Sequence, residues 1–418
     1  MTDNMSADFF LTNTRIDIVA KFLYAKYREN GYNTNFALDL YERHLRVWNG
    51  FNEIDNESKN SFEDFLVTFH QILDSIKSIG YDDTLDTVPV TDDGFLLNGS
   101  HRVASCLLYD KPVSYHTTND MSEGEYDCSS FYFRRLGLDE KYLDAMAVEY
   151  AKLKKNTYVV SLFPSATSMN LLDRAEEILT SESDLVYVKD IVCTNGALNI
   201  VRQLYLGEEW GGTWNNNFSG FLDKARLCFT SNYPMRVYLV ELDDVEQAKT
   251  LKNKIRNIYG LGNHSCHIND THAETLRLSR VFFNENSMHY INNSNMVYYP
   301  NFYSMLDYYS RYIKDNELDG EDYCVTASSI LSLYGLREGN DLDYLTSGNA
   351  ILGHSDIHSH NDEIHNYTVA IDDVLYNPTN HFYFDGIKFA GLNVIRELKN
   401  KRKEPKDFVD LELMETLM

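Results

Sequence analysis

Residues 88–105 read VPVTDDGFLLNGSHRVAS, and this stretch predicts two short strands followed at once by a helix. The strands are expected over 87–90 and 95–97, because the turn Asp92-Asp93-Gly94 between them is typical of a hairpin. The run VASCLLY after the second strand is apolar and suits a helix. The order of strand, turn, strand and helix therefore predicts that helices and strands are mixed in this part of the chain.

Five residues with ligand-binding groups stand where this helix is expected to begin: Asn98, Gly99, Ser100, His101 and Arg102. We call them the His-Arg corner. A strand-to-helix turn built of small residues directs backbone N–H groups outward, and the helix dipole adds partial positive charge there. With a hydroxyl, an imidazole and a guanidinium, the corner suits a phosphate group. The alternative is structural, with Asn98 or Ser100 capping the helix and Arg102 in a surface ion pair.

The composition restricts the classes of partner. The chain has 63 acidic and 38 basic residues and a formal net charge of −25. Because a nucleic-acid binder needs a basic face, we expect no nucleic-acid partner and a small anionic ligand held at a local site. With 418 residues, of which 43% are hydrophobic, the chain is expected to form two or three packed domains.

The cysteines and the N-terminal residues indicate a reducing compartment. Six cysteines occur singly, with no CxxC pair, and are expected to be free thiols. The start, MTDNMSADFF, lacks the basic and apolar regions of a signal peptide, and no stretch approaches 18 apolar residues. We expect no membrane span and a cytoplasmic location.

Hydrophobic periodicity divides the chain into three parts. Helical spacing of apolar residues is found over 9–50 and 61–79, whereas strands and helices alternate from Tyr158 onward. The prediction is a multidomain α/β (α+β) protein. Its expected domains are 1–150, 151–296 and 297–418.

The central part contains a candidate phosphate site in NHSCHINDTHAET, residues 263–275. Thr271 and Glu274 have the spacing of a capping box, so a helix is expected to begin after Thr271. His267 and Asp270 precede that helix, where an anion is favoured. The alternative is a structural or capping role for His267.

The last part contains a candidate metal site in ASSILSLYGLREGNDLDYL, residues 327–345. Ser328 and Ser329 stand at an expected helix start. Asp341 and Asp343 alternate along an expected strand, so that both carboxylates share one face, as Mg²⁺ and a triphosphate require.

Two loops are rich in residues that often contact ligands. YLGEEWGG, residues 205–212, carries Trp210 beside glycines and is either a substrate loop or a packed loop. GHSDIHSHNDEIH, residues 353–365, carries four histidines, but their spacing fits no closed zinc site.

The stretch VPVTDDGFLLNGSHRVAS resembles the ParB/sulfiredoxin fold over about residues 50–118, and within that superfamily the small-molecule kinases, including free-serine kinases. The resemblance implies that the His-Arg corner grips the phosphates of ATP. It also implies an upstream carboxylate as general base toward a substrate hydroxyl, and it places this role on Glu53, with Mg²⁺ neutralising charge. The alternative for Glu53 is an exposed loop acid.

The central stretches TYVVSLFPSA, RVYLVEL, KNKIRNIYG and HIND are similar in order to nucleoside diphosphate kinase. That resemblance implies a ferredoxin-like domain in which a histidine of an H-x-x-D turn carries the phosphoryl group. His267 and Asp270 are the matching positions, with Arg256 upstream. The lysine expected after the first strand is missing, since Phe163 precedes Pro164.

The last domain resembles the nucleotidyltransferase superfamily over about residues 322–414, by a GS…DxD-like pattern in which Ser328 replaces the glycine and by the ending GIKFAGLNVIRELKNKRKEPKDFVDLELM. The resemblance implies that Ser328 and Ser329 bind the nucleotide and that Asp341 and Asp343 bind Mg²⁺. A third carboxylate is expected on a later strand, with Asp372 as the candidate. Without a third acid, the domain would bind a nucleotide or sugar phosphate and not transfer it.

The resemblances together imply an ATP-dependent phosphotransferase in surface-polysaccharide biosynthesis. Its acceptor would be a sugar, a polyol or a hydroxy amino acid, and its site would surround Arg102. One alternative is a metal-dependent nucleotidyltransferase that uses Asp341 and Asp343. Another is a sensor or scaffold that binds a nucleotide without turnover.

Overall fold

The computed structural model describes residues 3–52, 59–82, 87–118 and 127–417. The chain divides into two compact units. The first comprises Met1–Thr157 with Asp184–Tyr187, and the second comprises Tyr158–Ser183 with Val188–Met418. Each contains helices and strands, so the chain is mixed α/β, as the sequence predicts. The residues on both sides of position 296 belong to the second unit.

The first unit is mostly helical. The helices and strands of its described residues are β1 (Asp3–Met5), α1 (Asp17–Asn30), α2 (Phe36–Asn49), α3 (Phe62–Ile79), β2 (Val88–Val90), α4 (Ser100–Tyr109), β3 (Val113–Thr117), α5 (Ser130–Arg135) and α6 (Glu140–Leu153). The strands form a sheet of order β1-β3-β2, in which β3 is antiparallel to β1 and parallel to β2. The second arm of the expected hairpin is reduced to a bridge between Val90 and Leu96.

Helix α3 illustrates how the sequence specifies a helix of the first unit. The hydroxyl of Ser61 accepts a hydrogen bond from the backbone N–H of Asp64 and so caps the N-terminus. Four apolar residues then recur at spacings of three and four and are buried: Phe65, Phe69, Leu73 and Ile76. The helix expected from residue 61 to residue 79 is therefore confirmed.

A buried ion cluster joins the start of α1 to the hairpin of the first unit. Arg15 donates two hydrogen bonds to the carboxylate of Asp17, at 2.9 and 3.0 Å, and the ammonium of Lys21 donates one at 2.9 Å. Arg15 also donates to the backbone carbonyl of Leu96. The three charged side chains are at most 3% exposed, so the pairing offsets the cost of burying their charges.

The second unit begins with alternating strands and helices, although Thr157 of β4 and Asp184–Tyr187 of β5 are counted with the first unit. In chain order they are β4 (Thr157–Leu162), α7 (Pro164–Thr167), α8 (Leu172–Glu182), β5 (Asp184–Ile191), α9 (Ala197–Leu204), α10 (Ser219–Cys228), β6 (Met235–Glu241), α11 (Val245–Tyr259), β7 (Cys266–Ile268), α12 (His272–Phe282) and α13 (Glu285–Asn293). The strands form a sheet of order β5-β6-β4-β7, in which β4 and β7 are antiparallel. The alternation expected from Tyr158 onward is confirmed.

A second sheet of this unit follows. Its helices and strands are α14 (Pro300–Asp315), β8 (Tyr323–Thr326), α15 (Ser329–Leu333), β9 (Leu342–Thr346), β10 (Ile357–Ser359), α16 (Ile371–Tyr376), β11 (His381–Phe384), β12 (Ile387–Ala390), α17 (Leu392–Arg402) and α18 (Pro405–Glu415). The strand order is β10-β9-β8-β12-β11. Strand β8 is antiparallel to β9 and parallel to β12.

The expectation that Asp372 lies on a strand is wrong. Asp372 lies in the first turn of α16, a helix of six residues. Acidic residues near a helix N-terminus interact favourably with the helix dipole, and Asp372 and Asp373 both occupy that turn. The strand parallel to β8 is β12, which carries Lys388 and no acidic residue.

Two further expectations concern membrane spans and disulfides. Within the described ranges, no helix combines the length and the apolar character that crossing a membrane requires. All six cysteines are free thiols, as the sequence predicts.

Candidate functional site

A cavity of about 420 Å³ lies in the second unit, next to β7 and the start of α12. We call it the His267 cavity. Besides His267 it is lined by three cationic side chains, Lys224, Lys252 and Arg256, and by three acidic ones, Glu208, Asp270 and Glu274. An anionic ligand would therefore be bound by those cations that no carboxylate pairs with.

The position of His267 follows from strand pairing and from a helix cap. Strand β7 pairs with β4, and His267 lies opposite Ser161. Helix α12 begins directly afterwards, since the hydroxyl of Thr271 accepts from the N–H of Glu274 and the carboxylate of Glu274 accepts from the N–H of Thr271. The predicted capping box is therefore confirmed, and it holds the turn that follows His267 in place.

The imidazole of His267 is neutral at physiological pH. Its Nε2 is buried and has no hydrogen-bond partner within the described ranges. Burial, followed by the positive charges of Lys252, Arg256 and Lys224, lowers the pKa of His267 to about 3. An uncharged imidazole retains a lone pair on one ring nitrogen, so His267 suits the role of a nucleophile better than that of an acid.

The cations of the His267 cavity differ in their partners. Lys252 forms an ion pair of 3.1 Å with Asp270. Arg256 donates from Nε and Nη2 to the backbone carbonyl of Cys266, at 3.3 and 3.2 Å. Neither Arg256 nor Lys224 has a carboxylate partner in the part of the chain that the structure describes. Lys224 and Arg256 are therefore the two cations of this cavity that form no direct ion pair among the described residues.

The structure brings together three residues that the sequence predicts for this site and adds others. His267, Asp270 and Arg256 line one cavity, together with Tyr205, Trp210 and Lys224. Trp210 lies in the loop that was a candidate substrate loop. Tyr205 is the first residue of the same stretch, whereas Lys224 carries no local signal, because its position follows from how α10 packs in the second unit.

Lys224 also lies near the position at which the resemblance to nucleoside diphosphate kinase implies a lysine. Phe163 follows β4 in place of that lysine, and the ammonium of Lys224 lies 5.7 Å from the centroid of the Phe163 ring. A residue of α10 thus brings a positive charge next to the end of the first strand of this sheet.

The His-Arg corner depends on Gly99. Its φ is +99°, and a Cβ atom at this position would lie 2.6 Å from Cγ1 of Val88 and 3.0 Å from Nη2 of Arg102. Helix α4 begins at Ser100, and no side chain caps it. The capping alternative for Asn98 and Ser100 is therefore wrong, and Asn98 accepts a hydrogen bond from the N–H of Gly99 at 2.6 Å.

His101 belongs to an aromatic cluster of the first unit. Its Nε2 is 2.7 Å from the hydroxyl of Tyr41, and its ring packs edge to face on Phe69 with 4.7 Å between centroids. Burial and the charge of Lys21 hold the pKa of His101 well below its usual range. The imidazole is thus engaged in packing at the position where the sequence predicts a phosphate contact.

Arg102 borders a separate cavity of about 260 Å³ in the first unit. The side chains of α3 that line it include Ile72 and Ile76, and Tyr81 and Asp82 lie at its end. Of the residues that the structure describes, Arg102 is the one cationic side chain that lines this cavity, whereas three cationic side chains line the His267 cavity. Glu53, the predicted general base, lies outside the described residues.

Asp341 and Asp343 form a pair of interacting carboxylates in the second unit. Asp343 lies on β9, opposite Thr326 of β8 and His358 of β10. Burial, and then the negative charge of Asp341, raises the pKa of Asp343 to about 6. Two neighbouring carboxylates are a common arrangement for a divalent cation.

A third ligand does not join this pair. Among the described residues, no three His, Cys, Asp or Glu side chains are grouped as metal ligands, so Asp341, Asp343 and Asp372 do not form the expected set. The hydroxyl of Ser329 accepts from the N–H of Asp343 at 3.1 Å. The hydroxyl of Ser328 accepts from Arg337 at 3.2 Å. Both serines of the predicted nucleotide site thus contact protein groups.

The basic and acidic residues of the C-terminal segment pair with one another. Lys399 is 2.6 Å from Asp410 and 3.4 Å from Asp407, and Arg402 is 2.7 Å from Asp407. Arg337 forms a bidentate pair with Asp410. These residues hold α17 against α18, which is a structural role.

The chain has no match among protein-family models, among curated proteins or among solved structures.

Proposed function

We propose that this protein is an ATP-dependent phosphotransferase in which His267 receives the phosphoryl group and passes it to a small hydroxylated molecule. The observation that carries the proposal is a neutral imidazole on a cavity whose cations Lys224 and Arg256 have no carboxylate partner among the described residues. The strand order β5-β6-β4-β7, with β4 antiparallel to β7, supports a ferredoxin-like fold for the surrounding domain. The acceptor is a sugar, a polyol or a hydroxy amino acid.

The chemistry proceeds in two steps. In the first, a ring nitrogen of His267 attacks the γ-phosphorus of ATP, the bond to the bridging oxygen breaks, and ADP leaves. Because Nε2 is buried, we assign the attack to Nδ1. In the second, the acceptor hydroxyl attacks the same phosphorus, the N–P bond breaks, and a phosphate monoester forms as the hydroxyl loses its proton to water.

The cations of the cavity act on the phosphoryl group. Lys224 and Arg256 offset the charge of its oxygens and of the leaving ADP, which is the main contribution a protein makes to phosphoryl transfer. Mg²⁺ that arrives with ATP neutralises further charge. Asp270 is paired with Lys252 and leaves the other two cations available.

We place the chemistry at His267 and not at the His-Arg corner for two reasons. His101 is engaged with Tyr41 and Phe69, and Arg102 provides a single cation beside a wall with apolar side chains. The acceptor classes are unchanged by this relocation. A role in surface-polysaccharide biosynthesis remains part of the proposal.

The test is labelling with ATP that carries ³²P at the γ-position. We expect the purified chain with Mg²⁺ to incorporate label that is stable to alkali and labile to acid, as a phosphohistidine is. His267→Ala abolishes the label, whereas His365→Ala, an exposed histidine of the same unit, leaves it unchanged. Label that survives His267→Ala would contradict the proposal, and binding of ATP without any label would favour the sensor alternative.

The second candidate function is a metal-dependent nucleotidyltransferase at Asp341 and Asp343. The observation in its favour is that the negative charge of Asp341 contributes to the raised pKa of Asp343, which fits a cation held by both carboxylates. Mg²⁺ there would be completed by oxygens of the triphosphate and would stabilise the leaving pyrophosphate. Release of pyrophosphate that depends on Asp343 and not on His267 would support this candidate over the first.

A further inference from the structure

Lys224 is a buried lysine with no anionic partner in the described part of the chain. Its side chain comes from α10 and is 7% exposed. Its ammonium donates to the backbone carbonyl of Asn263 and interacts with the thiol of Cys228. Burial raises the pKa of that thiol to about 11, so Cys228 is uncharged at neutral pH. Among the described residues, no ionised group therefore forms a direct ion pair with Lys224.

The ammonium of Lys224 is instead surrounded by aromatic rings. It lies 5.7 Å from the ring centroid of Phe163 and 5.7 Å from that of Tyr205. A cation over an aromatic face gains only part of what an anion would provide. Burying such a charge is costly unless a partner arrives, and the favoured partner is an anion in the cavity that Lys224 lines.

Lys224 and His267 line the same cavity. The ring of Tyr205 contacts both, at 5.7 Å from the ammonium and 4.8 Å from the imidazole centroid. The charge of Lys224 also acts on the imidazole, because it is one of the causes of the lowered pKa of His267. An anion held by Lys224 is therefore held next to His267.

We infer that Lys224 is the main anion-binding residue of the His267 cavity and that it binds a diphosphate or a phosphate ester. The inference rests on the proposed function in that it takes the ligand to carry phosphate. It goes beyond that function by assigning the principal contact to a residue of α10, which no motif of the sequence marks. Lys252 is the contrasting case, because Asp270 already neutralises it.

The test measures the binding of inorganic pyrophosphate by calorimetry, without ATP. Lys224→Met is expected to weaken pyrophosphate binding about 10- to 100-fold, the range of a lost charge-assisted hydrogen bond. Lys224→Arg keeps the charge and is expected to retain most of the binding. The matched control is Lys254→Met, which removes a lysine that is 48% exposed, is paired with Glu182 and does not line the cavity. It leaves binding unchanged.

Thermal unfolding separates a binding role from a structural one. Because Lys224→Met removes a buried unneutralised charge, it is expected to raise the Tm in buffer and to abolish the increase in Tm that pyrophosphate gives to the natural chain. A lowered Tm with unchanged pyrophosphate binding would show a structural lysine and overturn the inference. Failure of the natural chain to bind pyrophosphate would also overturn it.

The outcome for Lys224 is distinct from the outcome for the phosphotransferase. If Lys224→Met loses pyrophosphate binding and the natural chain forms no phosphohistidine, the assignment of Lys224 stands and the phosphotransferase fails. If Lys224→Met forms phosphohistidine at the natural rate and binds pyrophosphate as before, the assignment of Lys224 fails.

Discussion

The imidazole of His267 packs edge to face against the ring of Tyr205, with 4.8 Å between the two centroids and 70° between the ring planes. Tyr205 thus covers part of the group that we propose as the phosphoryl carrier. Burial is the largest cause of the low pKa of that group. The contact with Tyr205 therefore contributes to the burial that keeps His267 uncharged.

Tyr205→Ala is expected to raise the pKa of His267 from about 3 toward its ordinary value near 6.5, because water reaches the ring. An NMR titration of the His267 ring proton gives the pKa directly. Tyr205→Phe keeps the ring and is expected to leave the pKa low. An unchanged pKa in Tyr205→Ala would show that the neighbouring cations, and not burial, keep the imidazole neutral.

Buried histidines are expected to make the fold sensitive to acid. Burial lowers the pKa of His44 well below 6.5, and both of its ring nitrogens lack hydrogen-bond partners in the described part of the chain. In the unfolded chain His44 then binds a proton at a pH at which it stays uncharged in the folded chain. Its contribution to the free energy of unfolding is therefore present above about pH 6.5 and is lost as the pH falls below that value. The loss is up to about 1.4 kcal/mol per pH unit for each such group.

His44→Phe tests this dependence. The substitution is expected to reduce the difference between urea midpoints measured at pH 7.5 and pH 5, because one group that protonates only on unfolding is gone. His365→Ala, at an exposed histidine, is the control and leaves the difference unchanged. An equal difference in His44→Phe and the natural chain would contradict the assignment.

The ion cluster of Arg15, Asp17 and Lys21 is expected to respond unequally to two substitutions. Asp17→Asn leaves two buried cations without a counter-charge and should cost about 3–5 kcal/mol of unfolding free energy. Lys21→Met leaves Arg15 and Asp17 as a balanced pair and should cost much less. Urea unfolding of both variants measures the contrast, and equal costs would show that side-chain packing outweighs charge here.

Gly99 is expected to be irreplaceable at the turn before α4. Gly99→Ala combines a left-handed backbone, which costs about 1–3 kcal/mol for a residue with a side chain, with a contact of 2.6 Å to Val88. Gly137→Ala is the matched control, because Gly137 has a φ of +86° and no atom within 4 Å of the added Cβ. Urea unfolding should show a larger loss for Gly99→Ala, and equal losses would mean that Val88 moves away without cost.

Asp343→Asn is expected to stabilise the protein at neutral pH. A carboxyl group whose pKa is raised to about 6 adds stability that is present below its unfolded pKa, near 3.8, and is lost as the pH rises through 6. Removing the charge should therefore gain about 1–3 kcal/mol at pH 7.5 and little at pH 4. Urea unfolding at both values checks this, and a gain of equal size at pH 4 would contradict it.

The order of helices and strands could be read from the sequence because it depends on local patterns. Helix α3 spans Phe62–Ile79, within the range 61–79 that its apolar periodicity predicts, and Thr271 caps α12 through the predicted box. The prediction that Asp372 lies on a strand was wrong because the apolar pattern of six residues does not distinguish a short strand from a short helix.

The sequence by itself determined the mixed α/β class, the capped helices and the proximity of His267 to Asp270, since each depends on residues within a few positions of one another. Only the tertiary structure decided which charges stay unpaired. Lys224 lies 43 residues before His267, and the packing of α10 brings it to the cavity. The ring of His101, in contrast, is hydrogen-bonded to the hydroxyl of Tyr41 in α2. Burial and charge pairing are properties of residues that meet across the fold, so no spacing along the chain records them.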